Sequence, residues 1–185
     1  MDPYKVLSFD EPKIADYLIE FLRDEIHKVG FEKAVIGLSG GIDSGLVAYL
    51  LKEALGKENV YAIILPYKTS SAESVDDAFK IINELGINYK KVDITKMADS
   101  YIENNFDKVR IGNILARLRM IILFDQSYET NALVVGTSNK TELLLGYGTW
   151  YGDMASSLNP IGDLYKTQVR ILSKYMGVPQ SIIDK

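Results

Sequence analysis

Hydrophobic residues follow two alternating patterns along this chain: helical spacing and short continuous apolar runs. Apolar residues recur every third or fourth position after Asp10, a residue type that often caps helix N-termini, and the pattern stops at Gly30. A short apolar run over 34–38 then leads into a glycine-rich loop, and helical spacing resumes from Leu46 to Gly56. This part of the chain is therefore predicted to run helix, strand, loop, helix.

The alternation continues to the end of the chain. The further predicted elements are a strand over 60–65, a helix over 78–85 closed by Gly86, a strand over 89–94, a weak helix over 97–102, a long helix over 109–128, a strand over 132–135, a glycine-rich stretch over 146–160 and a helix over 164–176. Ser70 and Glu73 have the spacing of a capping box before the helix over 78–85.

Strands that alternate with helices predict an α/β fold. Each strand must return through a helical crossover, so the strands pair in parallel. We expect one domain over residues 1–185, with a three-layer, doubly wound, Rossmann-like parallel sheet. Ligands of such sheets bind beyond the carboxyl ends of the strands. The loops that follow Leu38, Leu65 and Val135 should therefore lie at one rim.

The helix over 109–128 is apolar on two faces. Ile111, Leu115 and Leu118 lie on one face, whereas Leu123 and Phe124 add to a second. Two apolar faces need two covering surfaces, so this helix is either interior to a larger domain or part of a homodimer contact.

Composition excludes several kinds of chemistry. The chain has 185 residues, no cysteine and one histidine, His27. Thiol catalysis, thiolate zinc sites and cysteine-based glutamine hydrolysis are excluded, and a Ser-His-Asp triad is nearly so. A formal net charge of −4 argues against nucleic acid as a partner. No apolar run approaches about 18 residues and the first ten residues do not resemble a signal peptide, so we expect no membrane association and a cytoplasmic location.

The loop Gly37-Leu38-Ser39-Gly40-Gly41-Ile42-Asp43-Ser44 carries the main chemical signal, because it follows a strand and opens a helix. Backbone N–H groups and the helix dipole favour an anion there. The loop lacks the Gly-Lys-Ser/Thr ending of a Walker loop, and Asp43 stands in place of the lysine. A carboxylate beside phosphate is explained if Asp43 binds Mg²⁺, which bridges to the phosphate oxygens. The alternative is a glycine-rich turn that only lets the helix pack closely on its strand.

The string SGGIDS resembles the pyrophosphate-binding loop of the PP-loop ATP pyrophosphatases, the adenine nucleotide alpha hydrolase-like superfamily. Five segments in this order resemble the ammonia-dependent NAD synthetases: GLSGGIDSGLVAYL, LPYKTSSAES, GNILARLRMIILFD, VVGTSNKTELLLGYGT and NPIGDLYKTQV. The resemblance implies a PP-loop ATPase fold and a two-step amidation. The nicotinate carboxylate of deamido-NAD would attack the α-phosphate of ATP, and ammonia would then displace AMP.

The resemblance also implies roles for individual residues. The residues that would hold the pyrophosphate part of ATP are Gly37, Leu38, Ser39, Gly40, Gly41, Ile42, Asp43 and Ser44. Asp43 and Glu142 match the two Mg²⁺ carboxylates, whereas Thr137 and Lys166 match ATP contacts, with an electrostatic role for Lys166. Arg117 matches a deamido-NAD contact; Arg119 lies about 200° away around the helix, so only one of the two should point into a given site.

Two positions depart from the family pattern. The family usually has a lysine where this chain has Trp150 and an aspartate where it has Ser157, and both family residues contact deamido-NAD. An indole offers a stacking surface instead of a charge. Family members also continue into a C-terminal portion that contributes an ATP contact and a His-Lys pair; if that portion is absent, we expect weak turnover or none.

Other functions fit parts of the sequence. A different PP-loop enzyme would adenylate another acceptor, such as a nucleobase, a tRNA base or another carboxylate. A nucleotide-binding module would hold ATP without turnover, although two metal carboxylates are difficult to explain in such a protein. An oligomer scaffold would explain the two-faced helix and leave the loop without a purpose.

Overall fold

The computed structural model describes residues 10–185 as eight helices and four strands. In chain order these are α1 (Glu11–Lys28), β1 (Ala34–Gly37), α2 (Ile42–Leu55), β2 (Val60–Ile64), α3 (Ala72–Leu85), β3 (Asn88–Lys91), α4 (Thr95–Asp99), α5 (Lys108–Thr130), β4 (Leu133–Val135), α6 (Lys140–Leu145), α7 (Lys166–Met176) and α8 (Gln180–Ile183). A single 3₁₀ turn precedes β2.

The four strands form one parallel sheet with the order β3-β2-β1-β4. The chain winds from β1 to β2 and β3 in one direction and returns to place β4 on the other side of β1. The strand order therefore reverses between β1 and β4, where open α/β sheets form a crevice at the carboxyl ends of their strands. The predicted parallel, doubly wound fold is confirmed.

Helices cover both faces of the sheet. Helices α1, α2, α3 and α7 pack over one face, onto alternate strand residues such as Ile36 and Ala62. Helices α4 and α5 pack over the other face, onto Val35, Ile63 and Val134. Consecutive strand residues point to opposite faces, and both faces of β1, β2 and β4 are covered, which explains the continuous apolar runs of these three strands. The edge strand β3 has the sequence NYKK and is mostly exposed.

Local capping residues set several helix ends. The Asp10 side chain accepts a hydrogen bond from Lys13 N (3.2 Å), as the sequence predicts for the start of α1. Gly86 ends α3 in the left-handed conformation, with φ of 66°. The capping box predicted for Ser70 and Glu73 is wrong: α3 begins after Ser71, and Ser70 Oγ instead accepts from Tyr67 N (3.0 Å).

The long helix α5 has one covered face and one exposed face. Leu115 is buried against the sheet, whereas Val109, Ile121 and Tyr128 are 74%, 58% and 92% exposed. The outer apolar face of α5 therefore has no cover within residues 10–185, and both predicted covers, a larger domain and a second copy of the chain, stay predictions. Across those residues every helix is too short or too polar to traverse a lipid bilayer.

Candidate active site

The glycine-rich loop between β1 and α2 presents free backbone donors. Helix α2 begins after Gly41 without a side-chain cap, and its first intrahelical bond joins Gly45 N to Gly41 O (2.9 Å). The N–H groups of Ile42, Asp43 and Ser44 precede that bond, so they are available to a ligand. An uncapped helix N-terminus with free N–H groups favours an anion.

Two serines stabilise the loop from within. Ser44 is buried, and its Oγ donates to Gly41 O (3.1 Å) and lies 3.1 Å from Ser39 Oγ. Gly41 N donates to Ser39 Oγ (3.2 Å). The Ser44 hydroxyl therefore stabilises the turn, and the contact of Ser44 with phosphate stays a prediction.

Gly40 is required by a close backbone approach. Its φ is +78°, and a Cβ at this position would lie 2.9 Å from the Ser74 carbonyl carbon, 3.2 Å from Ala78 N and nearer still to the Ser74 carbonyl oxygen. The first turns of α3 thus pack directly on the loop, and only glycine fits between them.

Two carboxylates and one ammonium group meet beside the N-terminus of α2. Lys166 Nζ donates to Asp43 Oδ2 in a short ion pair and lies 3.9 Å from Glu142 Oε1. The three side chains come from α2, α6 and α7, which are far apart in sequence. The structure therefore brings together Asp43, Glu142 and Lys166, all of which the sequence analysis places in the site.

Asn139 belongs to this cluster, although the sequence analysis does not name it. The fully buried Asn139 side chain donates from Nδ2 to Asp43 Oδ1 (2.9 Å) and accepts from Glu142 N (3.1 Å). Asn139 N in turn donates to Glu142 Oε2 (3.2 Å), which completes a capping box at the start of α6. The pattern Asn-x-x-Glu over 139–142 is the sequence signal that indicates it.

Helices α6 and α7 are connected through their first residues. Lys166 N donates to Thr141 Oγ1 (3.0 Å), and Lys140 N donates to Leu164 O (2.8 Å). These bonds hold the start of α7 against the start of α6. The Lys166 and Glu142 side chains are therefore held close together on the same side of the loop.

A cavity of about 810 Å³ lies at the carboxyl ends of β1, β2 and β4. Residues from all three predicted rim loops line it, including Leu38, Leu65, Val135 and Thr137. The rim prediction is confirmed, and Thr137 lines the same cavity as Leu38 and Ser39 of the glycine-rich loop.

The residues predicted to contact deamido-NAD lie outside this cavity. Arg117 is exposed on the outer side of α5, lines a shallow groove with Asn113, and donates from Nε to Trp150 O (3.2 Å). Trp150 is 71% exposed. Ser157 is also exposed, and its N–H donates to Val134 O (3.0 Å) beside β4. The structure connects Arg117 with Trp150, and neither residue lines the cavity at the glycine-rich loop.

A family model described as NAD synthase matches residues 14–185. The chain belongs to the NAD synthase family. It is 54% identical over 181 residues to the NH(3)-dependent NAD(+) synthetase of Fusobacterium nucleatum, a match that covers 97% of this chain and 70% of the relative. Family membership, which the five sequence segments indicate, is thereby confirmed.

Two solved synthetase structures have the same fold. The NH3-dependent NAD synthetase from Campylobacter jejuni, in complex with the nitrate ion, superposes with a TM-score of 0.92 at 43% identity, over 96% of this chain and 78% of that one. An NMN synthetase from Francisella tularensis superposes with a TM-score of 0.91 at 35% identity, over 96% and 75%. The curated relatives are longer than this chain, which spans 65% and 66% of the relatives from Chlorobaculum tepidum and Trichlorobacter lovleyi.

Proposed function

We propose that this chain binds ATP with Mg²⁺ at the loop over 37–44 and amidates deamido-NAD to NAD with ammonia, releasing AMP and pyrophosphate. One observation carries the proposal: the carboxylates of Asp43 and Glu142 converge on Lys166 beside the uncapped N-terminus of α2. The ammonia-dependent NAD synthetase name of the curated relatives supports the overall reaction.

The site suits Mg²⁺ bound together with a triphosphate. Its ligands would be the carboxylate oxygens of Asp43 and Glu142, which Mg²⁺ prefers. No group of three or more His, Cys, Asp or Glu side chains among residues 10–185 has the placement to hold a metal alone. Mg²⁺ commonly uses one or two carboxylates and completes its shell with water and phosphate oxygens, so the donor set fits. When bound, it would neutralise charge on the phosphate oxygens.

The chain's own groups would supply the rest of the catalysis. The free N–H groups at the start of α2 would hold the pyrophosphate, which is the leaving group. Lys166 would add positive charge to the same oxygens as negative charge develops there. The nicotinate carboxylate is already a nucleophile, so the first step needs no general base; its oxygen bonds to the α-phosphorus as the bond to pyrophosphate breaks. Ammonia then bonds to the carbonyl carbon, the bond between this carbon and the oxygen on AMP breaks, AMP leaves with that oxygen, and the nitrogen releases one proton to solvent.

Arg117, Trp150 and Ser157 are proposed to contact the acceptor. Arg117 supplies a cation on the outer side of α5, and the Trp150 ring offers an exposed stacking surface beside it. Because Trp150 and Ser157 replace charged residues of the family pattern, a smaller acceptor is the second candidate. The similarity to an NMN synthetase favours the nicotinate mononucleotide as that acceptor.

A homodimer is part of the proposal. The outer face of α5 exposes Val109, Ile121, Phe124 and Tyr128, and a second copy would cover these apolar side chains. Light scattering should give twice the 20.7 kDa chain mass; a monomeric mass at high micromolar concentration would contradict the dimer. A cytoplasmic location also remains part of the proposal.

The activity is tested by product analysis. The protein is incubated with ATP, Mg²⁺ and ammonium, with deamido-NAD, with the mononucleotide, or with neither acceptor. We expect AMP, pyrophosphate and NAD in equal amounts only when deamido-NAD is present. Amidation of the mononucleotide alone would support the second candidate, and ADP as the product would contradict both.

A further inference from the structure

Arg119 occupies the cavity next to the glycine-rich loop. It is the one Lys or Arg among the described residues that line this cavity. Arg119 Nε donates to Leu65 O (3.0 Å), at the carboxyl end of β2. The neighbouring strand β1 leads into the loop, and Leu38 N donates to Ile63 O (2.9 Å). Because adjacent strands are about 4.8 Å apart, the guanidinium group is anchored about one strand spacing from the loop.

Most of the hydrogen-bonding capacity of Arg119 is unused. A guanidinium has five N–H donors, and the bond to Leu65 O uses one of them. Within residues 10–185 no acceptor bonds to the remaining four, and no carboxylate forms an ion pair with this cation. The Asp153 carboxylate interacts with Arg119 only through longer-range electrostatic attraction, without a hydrogen bond or an ion pair.

The surroundings of Arg119 disfavour an unpaired charge. The side chain is partly buried, and this burial lowers the pKa of Arg119, an effect that Asp153 partly opposes. A partly buried cation with free donors is stabilised by an anionic acceptor. The planar N–H pairs of a guanidinium match two oxygens of one phosphate group. A phosphate in the cavity would therefore satisfy Arg119.

The two cations near the loop have different partners. Lys166 is already paired with Asp43, on the side where the pyrophosphate and its metal would lie. Arg119 lies toward β2 and α5, away from that cluster. In an in-line displacement the pyrophosphate leaves on one side of the α-phosphorus and the acceptor arrives on the other. With the pyrophosphate in the loop, the α-phosphate extends into the cavity that Arg119 lines.

We propose that Arg119 binds the non-bridging oxygens of the α-phosphate of ATP, and of the same phosphate in the acyl adenylate. The inference rests on the proposed function. It assigns to Arg119 a role distinct from that of Arg117, which lies on the opposite side of α5. A charge fixed at this phosphate stabilises the five-coordinate transition state of the first step.

Paired binding measurements with AMP and adenosine test this role. Both ligands displace a fluorescent ATP analogue from the wild type, Arg119→Gln, Arg119→Lys and the control Arg170→Gln. Arg170 is exposed on α7 and does not line the cavity. Loss of a charge-assisted hydrogen bond should weaken AMP binding by about 10- to 100-fold in Arg119→Gln, with adenosine affinity unchanged. The control should bind both ligands like the wild type.

Each outcome separates the inference from the proposed function. Unchanged AMP affinity in Arg119→Gln, or equal losses for AMP and adenosine, would overturn the role of Arg119 and leave ATP binding by the loop intact. If the glutamine variant does not fold, the Arg119→Lys variant is the test, because lysine keeps the positive charge and lacks the planar pair of N–H donors. An unchanged ratio of AMP affinity to adenosine affinity in Arg119→Lys would overturn the role of Arg119. A wild type that binds no adenine nucleotide would contradict the proposed function itself.

Discussion

Replacement of Gly40 by alanine tests whether α3 and the glycine-rich loop form one rigid unit. The added Cβ would lie within 3.0 Å of the Ser74 carbonyl group of α3, closer than real Cβ atoms come, and 3.2 Å from Ala78 N. Backbone atoms of a helix cannot rotate away as a side chain can, so the loop or the helix must move by about 1 Å. The substitution therefore perturbs the loop without removing any functional group.

Gly30 provides a matched control for this substitution. Its φ is +85°, close to the +78° of Gly40, but a Cβ there would have no atom within 4 Å. Gly30→Ala should cost only the left-handed strain of a non-glycine residue, about 1–2 kcal/mol. Gly40→Ala should add an overpacking cost of about 1–3 kcal/mol. The difference in the free energy of unfolding between the two variants therefore measures the cost of the clash with α3.

Urea unfolding followed by circular dichroism measures both free energies of unfolding. We expect Gly40→Ala to be less stable than Gly30→Ala by at least about 1 kcal/mol. We also expect Gly40→Ala alone to lose affinity for ATP with Mg²⁺, because the free N–H groups of α2 move with the loop. Equal stabilities, or full ATP affinity in Gly40→Ala, would refute the close packing of α3 on the loop.

Three further substitutions test the site and its surroundings. Asp43→Asn should lower AMP production on the order of 100-fold or more without unfolding the protein, because it removes a metal carboxylate; near-normal rates would contradict the metal role. Asn139→Ala should weaken Mn²⁺ binding in the presence of ATP by about 10- to 100-fold, measured by electron paramagnetic resonance, because Asn139 positions both Asp43 and Glu142; unchanged affinity would contradict this positioning. The hydrogen bond from Lys185 holds the pKa of Asp77 below its ordinary value. Ionised Asp77 therefore stabilises the folded state at pH values above the ordinary carboxyl pKa, and this stabilisation is lost as the pH falls through the lowered pKa. Asp77→Asn should therefore cost about 0.5–1 kcal/mol at pH 7, and this cost should shrink as the pH falls below the ordinary carboxyl pKa, as urea unfolding over a pH series would reveal. A cost that does not change with pH would contradict the ion pair.

Local sequence signals predict much of this fold. The strand, glycine loop and helix over 34–56 are predictable because glycines bound the elements and because the strand is buried on both faces. Parallel pairing follows from the alternation of strands and helices, and the structure confirms it. The short helices α6 and α8 are missed because four to six residues give too little periodicity to detect.

Tertiary contacts determine what sequence patterns leave open. Asn139 bonds to Asp43 across 96 positions, and Lys166 reaches Asp43 across 123, so no local pattern reports either contact. Helical periodicity places Arg117 and Arg119 on opposite sides of α5 but does not show which of the two faces the cavity. Packing of α5 on the sheet determines that Arg119 faces the cavity, because Leu65 O at the end of β2 accepts a hydrogen bond from Arg119.

Oxygen-isotope transfer tests the central claim, which is that this site adenylates a carboxylate. Deamido-NAD labelled with ¹⁸O in the nicotinate carboxylate is converted with ATP, Mg²⁺ and ammonium, and the AMP and pyrophosphate are analysed by mass spectrometry. If the carboxylate attacks the α-phosphate, one labelled oxygen appears in AMP and none in pyrophosphate. Label in pyrophosphate or inorganic phosphate, or unlabelled AMP formed together with NAD, would contradict the account.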